Sequence, residues 1–298
     1  MSVRVLQVPV IIRKSASVMV ATLAAGALLM AVCCCMRVFV ADQFVIPTCS
    51  MAPTLVPGDR VVVNKLIMGA RLYTDFEFKQ DGQELQSVRM KGLRGLMHND
   101  IAVFNYPKVG DRVSFRINHV YCKRCVALPG DTLSIVDGIY RNNNCRDTLG
   151  LRTMQARLSE VDEVGYSAEA LAVYPFDERV GWTFKRMGPL YIPRRGDIMV
   201  LTCKEGTVYK TLLEHETGRV VTVDWDKGVV LLDGTPTGRH EWRNNYYFMA
   251  GDNVFDSMDS RYWGLVPEDY IVGVVQMISY SMDRDNDAIK WERTLLGR

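Results

Sequence analysis

The sequence predicts a mainly β protein held by one N-terminal transmembrane helix. Residues 15–36, SASVMVATLAAGALLMAVCCCM, carry no charge. After them, short segments rich in β-branched and aromatic residues recur, separated by Pro, Gly and Asp. At 298 residues, 48% hydrophobic and 23% charged, the chain can bury one core, or a core and a smaller satellite domain.

The uncharged run comes first. At 1.5 Å per residue it spans roughly 33 Å, close to the ~30 Å hydrocarbon core of a bilayer. Arg4, Arg13 and Lys14 precede it, and only Arg37 and then Asp42 follow closely. That bias predicts a cytoplasmic N-terminus and the rest of the chain outside. A cleaved signal peptide has a shorter apolar region, 7–15 residues, so an uncleaved anchor over 15–37 is expected. A lipoprotein would have a small residue before its cysteine, whereas Val32 precedes Cys33.

Strand signals follow at 42–46, 60–66, 99–106 and 119–128, with turns at Pro57-Gly58-Asp59, Pro107-Lys108 and Pro129-Gly130-Asp131. Asp137-Gly138 and Asp233-Gly234 suit two-residue hairpins, the second with β-rich flanks at 220–225 and 228–232. Residues 196–201 echo 99–104 as similar strand starts. Residues 70–98 read as charged and irregular, 151–185 as mixed and polar, and 283–298 as polar.

Composition excludes some classes of function. A net charge of +2, from 36 basic and 34 acidic residues, lacks the basic excess of a nucleic-acid binder. The single CxxC at Cys122 and Cys125 lacks a second ligand pair for zinc, and the four histidines show no ligand spacing. The eight cysteines read as small apolar fillers, although Cys145 and Cys203 could pair in an oxidising compartment.

Three stretches carry candidate chemistry. Ser50 sits in the proline-rich 47–59 segment, PTCSMAPTLVPGD, with no histidine near it in sequence. A lysine can serve as its base once burial disfavours the ammonium form. Lys123 has the most apolar setting of any lysine, in VYCKRCVAL (120–128), where strand alternation puts Tyr121, Lys123 and Cys125 on one face. Arg124, on the other face, is then free to meet solvent. The third stretch, 250–267, packs Asp252, Asn253, Asp256, Ser257, Asp259, Ser260 and Arg261 into ten residues. It lacks the spacing of an EF-hand. A corner in which a carboxylate pairs with Arg261 and a hydroxyl reaches the site is the sharper reading.

Taken in this order, Ser50-Met51-Ala52-Pro53-Thr54-Leu55, Tyr121-Cys122-Lys123-Arg124 with Leu128-Pro129-Gly130-Asp131, and Gly251-Asp252-Asn253 with Ser257 to Pro267 resemble bacterial type I signal peptidases. These are Ser-Lys endopeptidases that remove signal peptides. Residues 99–104 resemble a further strand of that family. The resemblance implies Ser50 as nucleophile, Lys123 as general base and Ser257 as the hydroxyl bonded to the lysine amine. It implies Thr48 and the Ser50 N–H as the oxyanion site, Asp259 and Arg261 as a supporting ion pair, and Asp252 as a structural carboxylate. Pockets for small residues would be lined by Phe44, Ile46, Pro47, Met51, Leu55, Val103, Tyr121 and Cys122.

The fold it implies is a signal-peptidase-like β catalytic core over 42–134 and 244–283, with an inserted second β-rich domain over 135–243 and a polar tail over 284–298. Residues 1–14 would be the cytoplasmic N-terminus. The partners implied are preproteins emerging from the translocase and the lipid bilayer, with no nucleic acid. No cofactor and no metal are implied, and the catalytic domain would lie on the periplasmic side of the inner membrane.

Cys49, Val254 and Asp256 depart from the residues usual in the family, and Cys122 stands where a bulkier aliphatic side chain is common. Those departures leave a non-catalytic, precursor-binding paralogue as the alternative. A self-cleaving cytosolic regulator would have a DNA-binding module instead of an anchor. A penicillin-binding acyl enzyme would need an S-x-x-K helix, which is missing.

Overall fold

An eight-stranded antiparallel sheet organises the chain in the computed structural model, which describes residues 10–74, 87–109, 112–114 and 119–297. Its strands are β1 (Ala41–Val45), β2 (Asp59–Asn64), β3 (Ile101–Asn105), β4 (Val120–Ala127), β5 (Tyr246–Ala250), β6 (Val266–Pro267), β7 (Ile271–Ser281) and β8 (Leu296–Gly297). The order is β1-β2-β7-β3-β4-β5-β6, with β8 added to β7. The expected mainly β class with one N-terminal apolar helix is what the chain adopts.

Burial explains why these segments are strands. In β3 every residue is buried, because both faces of the sheet are covered. Ile101 and Val103 pack with Ile46, Met51, Leu55, Val61, Val63, Val275 and Ile278 on one face. Ala102 and Phe104 pack with Cys125, Tyr247, Met249, Trp263 and Ile271 on the other. β2 instead alternates between buried and half-buried residues along its length.

The N-terminal helix α1 (Val10–Cys35) starts earlier than the uncharged run, because charged residues at a helix end do not stop helical bonding. It ends in a wide turn, where the Ala41 N–H donates to the Met36 carbonyl. Residues Ser17–Val40 form a stretch of 24 with mean hydropathy 2.4 and none of it buried, long and apolar enough to cross a membrane. Lys65 joins the helix end to β2, donating to the Arg37 carbonyl at 2.8 Å and pairing with Asp42 at 3.1 Å. Most of the expected N-terminal segment 1–14 lies outside the described residues, as does 75–86 of the charged stretch.

Between β4 and β5 the chain builds smaller sheets. Thr132–Val136 pairs with Ile139–Asn142 and Met187–Tyr191, and Val229–Leu232 with Val221–Asp224 and Thr235–Thr237. Both Asp-Gly hairpins form as expected. Asp137, Gly138, Asp233 and Gly234 all have positive φ, as the tight turn demands. The partner across Asp233-Gly234 is the short strand Thr235–Thr237.

Helices Arg152–Ser159, Cys203–Val208 and Lys210–Thr217 were not expected. Val208, Leu212 and Leu213 are buried, so these short helices pay for their nucleation by packing. One apolar cluster joins Leu133, Leu213 and Trp242 of this region to Ala127, Phe248 and Ala250 of the main sheet.

The tail, expected to be polar, has no buried residue among those described and forms one short helical turn at Trp291–Arg293, yet it docks on the main sheet. β8 pairs with Met277 and Ile278 of β7, and the Lys290 N–H donates to the Ser281 carbonyl. Arg293 forms an ion pair with the fully buried Asp59 at 2.6 Å. Arg293 and Asp59 lie 234 residues apart in sequence, so no local signal announced this ion pair.

Candidate active site

Ser50 lies in a single tight turn, Cys49–Met51, outside any strand. The turn is closed by the Ala52 N–H to the Cys49 carbonyl at 2.9 Å and the Leu55 N–H to the Met51 carbonyl at 2.9 Å. Met51 and Leu55 anchor it in the core. The loop returns to β2 through the Gly58 N–H to the Ile46 carbonyl (3.1 Å) and the Ile46 N–H to the Asp59 carbonyl (2.8 Å). Gly58 has φ +95°, and a Cβ there would lie 2.0 Å from the Met282 carbonyl oxygen, so only glycine fits.

Lys123 stands in the middle of β4, opposite Ala102 of β3, and is 2% exposed. Its Nζ is in hydrogen-bond contact with Ser50 Oγ. It also lies 5.6 Å from the centre of the Tyr121 ring. Burial holds the amine below the ordinary lysine range, opposed by the negative charge of Asp259. A hydroxyl touching a buried, easily neutralised amine can be deprotonated as it attacks a carbonyl.

The 251–261 block wraps the other side. The Asn253 N–H donates to the Ser50 carbonyl at 3.1 Å, and Asn253 Nδ2 to the Cys49 carbonyl at 3.2 Å. Asp259 and Arg261 form a buried fork with contacts of 2.9 and 2.8 Å, and the Gly251 N–H donates to Asp259 Oδ2 at 2.9 Å. Burial alone would raise the Asp259 pKa, but Arg261 holds it below the usual carboxylate range. Asp252 pairs with Arg124 through bonds of 2.7 and 2.6 Å and accepts the Thr54 hydroxyl at 2.5 Å. Arg124 is therefore not a solvent-facing cation: the buried Asp252 carboxylate draws it inward. Because Asp259 is committed to Arg261 and Asp252 to Arg124, the block is an ion-paired corner, and the expected pairing of a carboxylate with Arg261 forms.

The other expected residues divide. Thr48 Oγ1 lies 3.3 Å from Ser50 Oγ, beside the nucleophile candidate. Ser257 is buried in the corner, but among the described residues its hydroxyl has no hydrogen-bond partner, so the expected bond to Lys123 is not made. The lysine amine is turned to Ser50 instead.

Of the eight expected pocket residues, Phe44, Ile46, Met51, Leu55, Val103 and Cys122 share one apolar cluster. Tyr121 packs on the opposite face with Trp263 and Tyr106, and Pro47 is exposed. Strand alternation separates Tyr121 from Cys122. Burial pushes the Cys122 thiol up to about 12, which keeps it a neutral filler. Cys145 and Cys203 are both free thiols. The four histidines have other neighbours: His98 contacts Asp131, His240 contacts Glu216, His119 stacks on Tyr106 and Tyr121, and His215 meets the Tyr270 ring edge-on.

A family model described as signal peptidase, peptidase S26, matches residues 17–280. The chain belongs to that family. It is 25% identical over 258 residues to the signal peptidase I of Buchnera aphidicola subsp. Schizaphis graminum, covering 83% of this chain and 70% of that one. It is 26% identical over 248 residues to the signal peptidase I of Aquifex aeolicus, covering 82% and 78%. A crystal structure of a signal peptidase I from Enterococcus faecalis V583 covers 60% of this chain and 96% of its own, at 19% identity and a TM-score of 0.28. As a member of peptidase S26, the protein is a serine endopeptidase.

Proposed function

We propose that this peptidase removes N-terminal signal peptides from preproteins with Ser50 as nucleophile and Lys123 as general base. The single observation that carries the assignment is the contact between the buried Lys123 amine and the Ser50 hydroxyl. Signal-peptide removal follows from the family, and the Lys123–Ser50 contact supports the dyad.

The reaction is an acyl transfer. Neutral Lys123 takes the Ser50 proton as Oγ attacks the scissile carbonyl. The Ser50 N–H and the Thr48 hydroxyl, which lies 3.3 Å from Ser50 Oγ, are the donors we assign to the oxyanion. Lys123 then gives its proton to the leaving amine, and a water activated by the same amine hydrolyses the ester. Asp259 and Arg261 hold the corner behind the lysine, and Asp252 with Arg124 holds the flank. The cluster of Phe44, Ile46, Met51, Leu55, Val103 and Cys122, with the exposed Pro47 beside it, is the proposed seat of the small residues before the cut; Tyr121, packed on the opposite face, would lie outside it.

The apolar helix supports a membrane-anchored enzyme. The roughly ten residues from Val40 to Ser50 reach at most ~35 Å when extended, which keeps Ser50 near the bilayer surface. We place the N-terminus in the cytoplasm and the catalytic core, 42–134 with 244–283, on the outer face, where preproteins leave the translocase. The inserted region 135–243 is its second domain.

Cleavage of a precursor in detergent by the wild type, Ser50→Ala and Lys123→Met, with fragment masses read by mass spectrometry, tests the proposal. The expected outcome is cleavage after a small residue by the wild type and a loss of at least ~10³-fold in each folded variant. Retained cleavage in Ser50→Ala would overturn the assignment.

A further inference from the structure

We propose that Arg293, in the C-terminal segment, is a positioning residue for the nucleophile, clamping the loop that carries Ser50. The inference rests on the reading of Ser50 as nucleophile. The Arg293 guanidinium forks the Asp59 carboxylate, with Nε to Oδ1 at 2.9 Å and Nη2 to Oδ2 at 2.6 Å. The same Nη2 donates to the Thr54 carbonyl at 3.1 Å. Asp59 Oδ2 in turn accepts the Val56 N–H at 2.9 Å. One cation therefore ties together both ends of the 54–59 loop, four residues beyond the serine.

The opposite side of Thr54 is held as well. Its hydroxyl donates to Asp252, which is forked by Arg124, the neighbour of Lys123 in β4. Thr54 is thus pinned between a tail cation on one side and the ion pair beside the base on the other. Without Arg293, the loop keeps only the Asp252 side of that pin.

The tail is built to deliver this group. β8 lies along β7, and the Leu295 N–H donates to the Ser279 carbonyl at 3.3 Å. The Arg293 and Thr294 N–H groups close a turn onto the Lys290 and Trp291 carbonyls at 3.1 Å each. Arginine suits the task because its planar fork supplies several donors in fixed directions, which a lysine ammonium does not. The Asp59 side chain is fully buried and Arg293 only 18% exposed, so solvent does little to replace the cation. Burial raises the Asp59 pKa, but Arg293 and the Val56 N–H outweigh it and hold the carboxyl below its usual range.

The experiment is steady-state cleavage of a precursor by full-length enzyme carrying Arg293→Ala, Arg293→Gln or Arg293→Lys, with Ser50→Ala and Lys290→Ala alongside. Each variant is assayed well below its own melting temperature. Arg293→Ala is expected to lower kcat at least 10-fold with KM within twofold, because the reacting serine moves while Phe44, Val103 and Cys122 of the pocket stay fixed on their strands. Arg293→Lys is expected to recover part of that loss, and Lys290→Ala to behave as wild type. The acid limb of the pH profile should stay in place, since the surroundings of Lys123 are untouched.

Wild-type kcat in a folded Arg293→Ala enzyme, a defect confined to KM, or a loss that follows melting temperature across all three Arg293 variants would each overturn the clamp. If Arg293→Ala does not fold, Arg293→Gln and Arg293→Lys give the same reading. Activity retained by Ser50→Ala would instead remove the nucleophile assignment, an outcome separate from any Arg293 defect.

Discussion

Ser50 and Lys123 meet in one site but are held there by different physics. Lys123 belongs to β4, whose register is fixed by β3 on one side and β5 on the other. Its position is secured many times over by ladder hydrogen bonds. Ser50 sits on a turn outside the sheet, fixed by a handful of separate bonds from Asn253, Gly58 and the residues that follow it. The base is therefore insensitive to any one distant contact, while the nucleophile depends on several. Substitutions that respect the sheet but disturb the loop or the 251–261 corner should damage catalysis more than they damage the fold.

The largest expected effect comes from the corner under Lys123. Asp259→Asn leaves Arg261, 1% exposed, as an uncompensated buried cation, which is expected to cost about 3–5 kcal/mol of stability. Chemical denaturation of the full-length protein measures it. The substitution also removes the largest influence raising the Lys123 pKa, leaving burial and Arg261 opposed only by Cys122 and Asp252. Neutral lysine is then present at lower pH, and the acid limb of kcat/KM shifts to lower pH in the folded variant. The wild-type carboxyl has its pKa lowered in the fold, so its contribution to stability is present above about pH 4 and lost as pH falls further. The variant should lack that acid-side decline. An acid limb displaced to higher pH would mean that Asp259 does not act on Lys123 through its charge.

A smaller effect, confined to the loop side, is expected from Gly251→Ala. A Cβ there would lie 2.0 Å from Ser257 Oγ and 2.5 Å from the Ser50 carbonyl oxygen. Both neighbours must move, and a shift of about 1 Å at a nucleophile is worth ~10²-fold in rate. The measurement is kcat on a precursor beside a melting curve. A fall in kcat without comparable loss of melting temperature would confirm that the serine turn is the tolerant part of the fold and the demanding part of the site. Equal damage to both would erase the distinction between the two regions.

The sequence made the local features legible and the distant ones not. The anchor could be read because charge-free runs of membrane length are rare, and both Asp-Gly hairpins because their turns demand positive φ. β3 and β4 stood out as apolar runs between turn residues. Ser50, Lys123 and the 250–267 stretch stood out one by one as candidates, but only the resemblance joined them into one site, since nothing in their spacing links positions so far apart. The helices Cys203–Val208 and Lys210–Thr217 were missed because they are short and gain their stability from packing, although Gly218, with φ +67°, is the kind of residue that stops a helix. The Arg293–Asp59 pair, 234 residues apart in sequence, had no local pattern to betray it. Arg124 was misread because alternation assigns a face without revealing that a buried carboxylate waits on it.

The smallest expected effect on stability sharpens the comparison most. Ser257 is buried and its hydroxyl lacks a partner, an arrangement that costs free energy in the resting fold. Ser257→Ala removes that unpaired group at nearly constant volume, so stability should stay within about 1 kcal/mol of wild type or rise slightly. A purely structural serine would then leave kcat unchanged. A serine that turns towards the Lys123 amine during the reaction, steering it at the moment the Ser50 proton is transferred, would instead cost roughly 10-fold or more in kcat. Paired measurements of melting temperature and kcat separate the two. An active-site loss in an undamaged fold would place the Ser257 hydroxyl with the nucleophile's loosely secured surroundings. Unchanged activity would leave Lys123 oriented by the sheet and Ser50 alone.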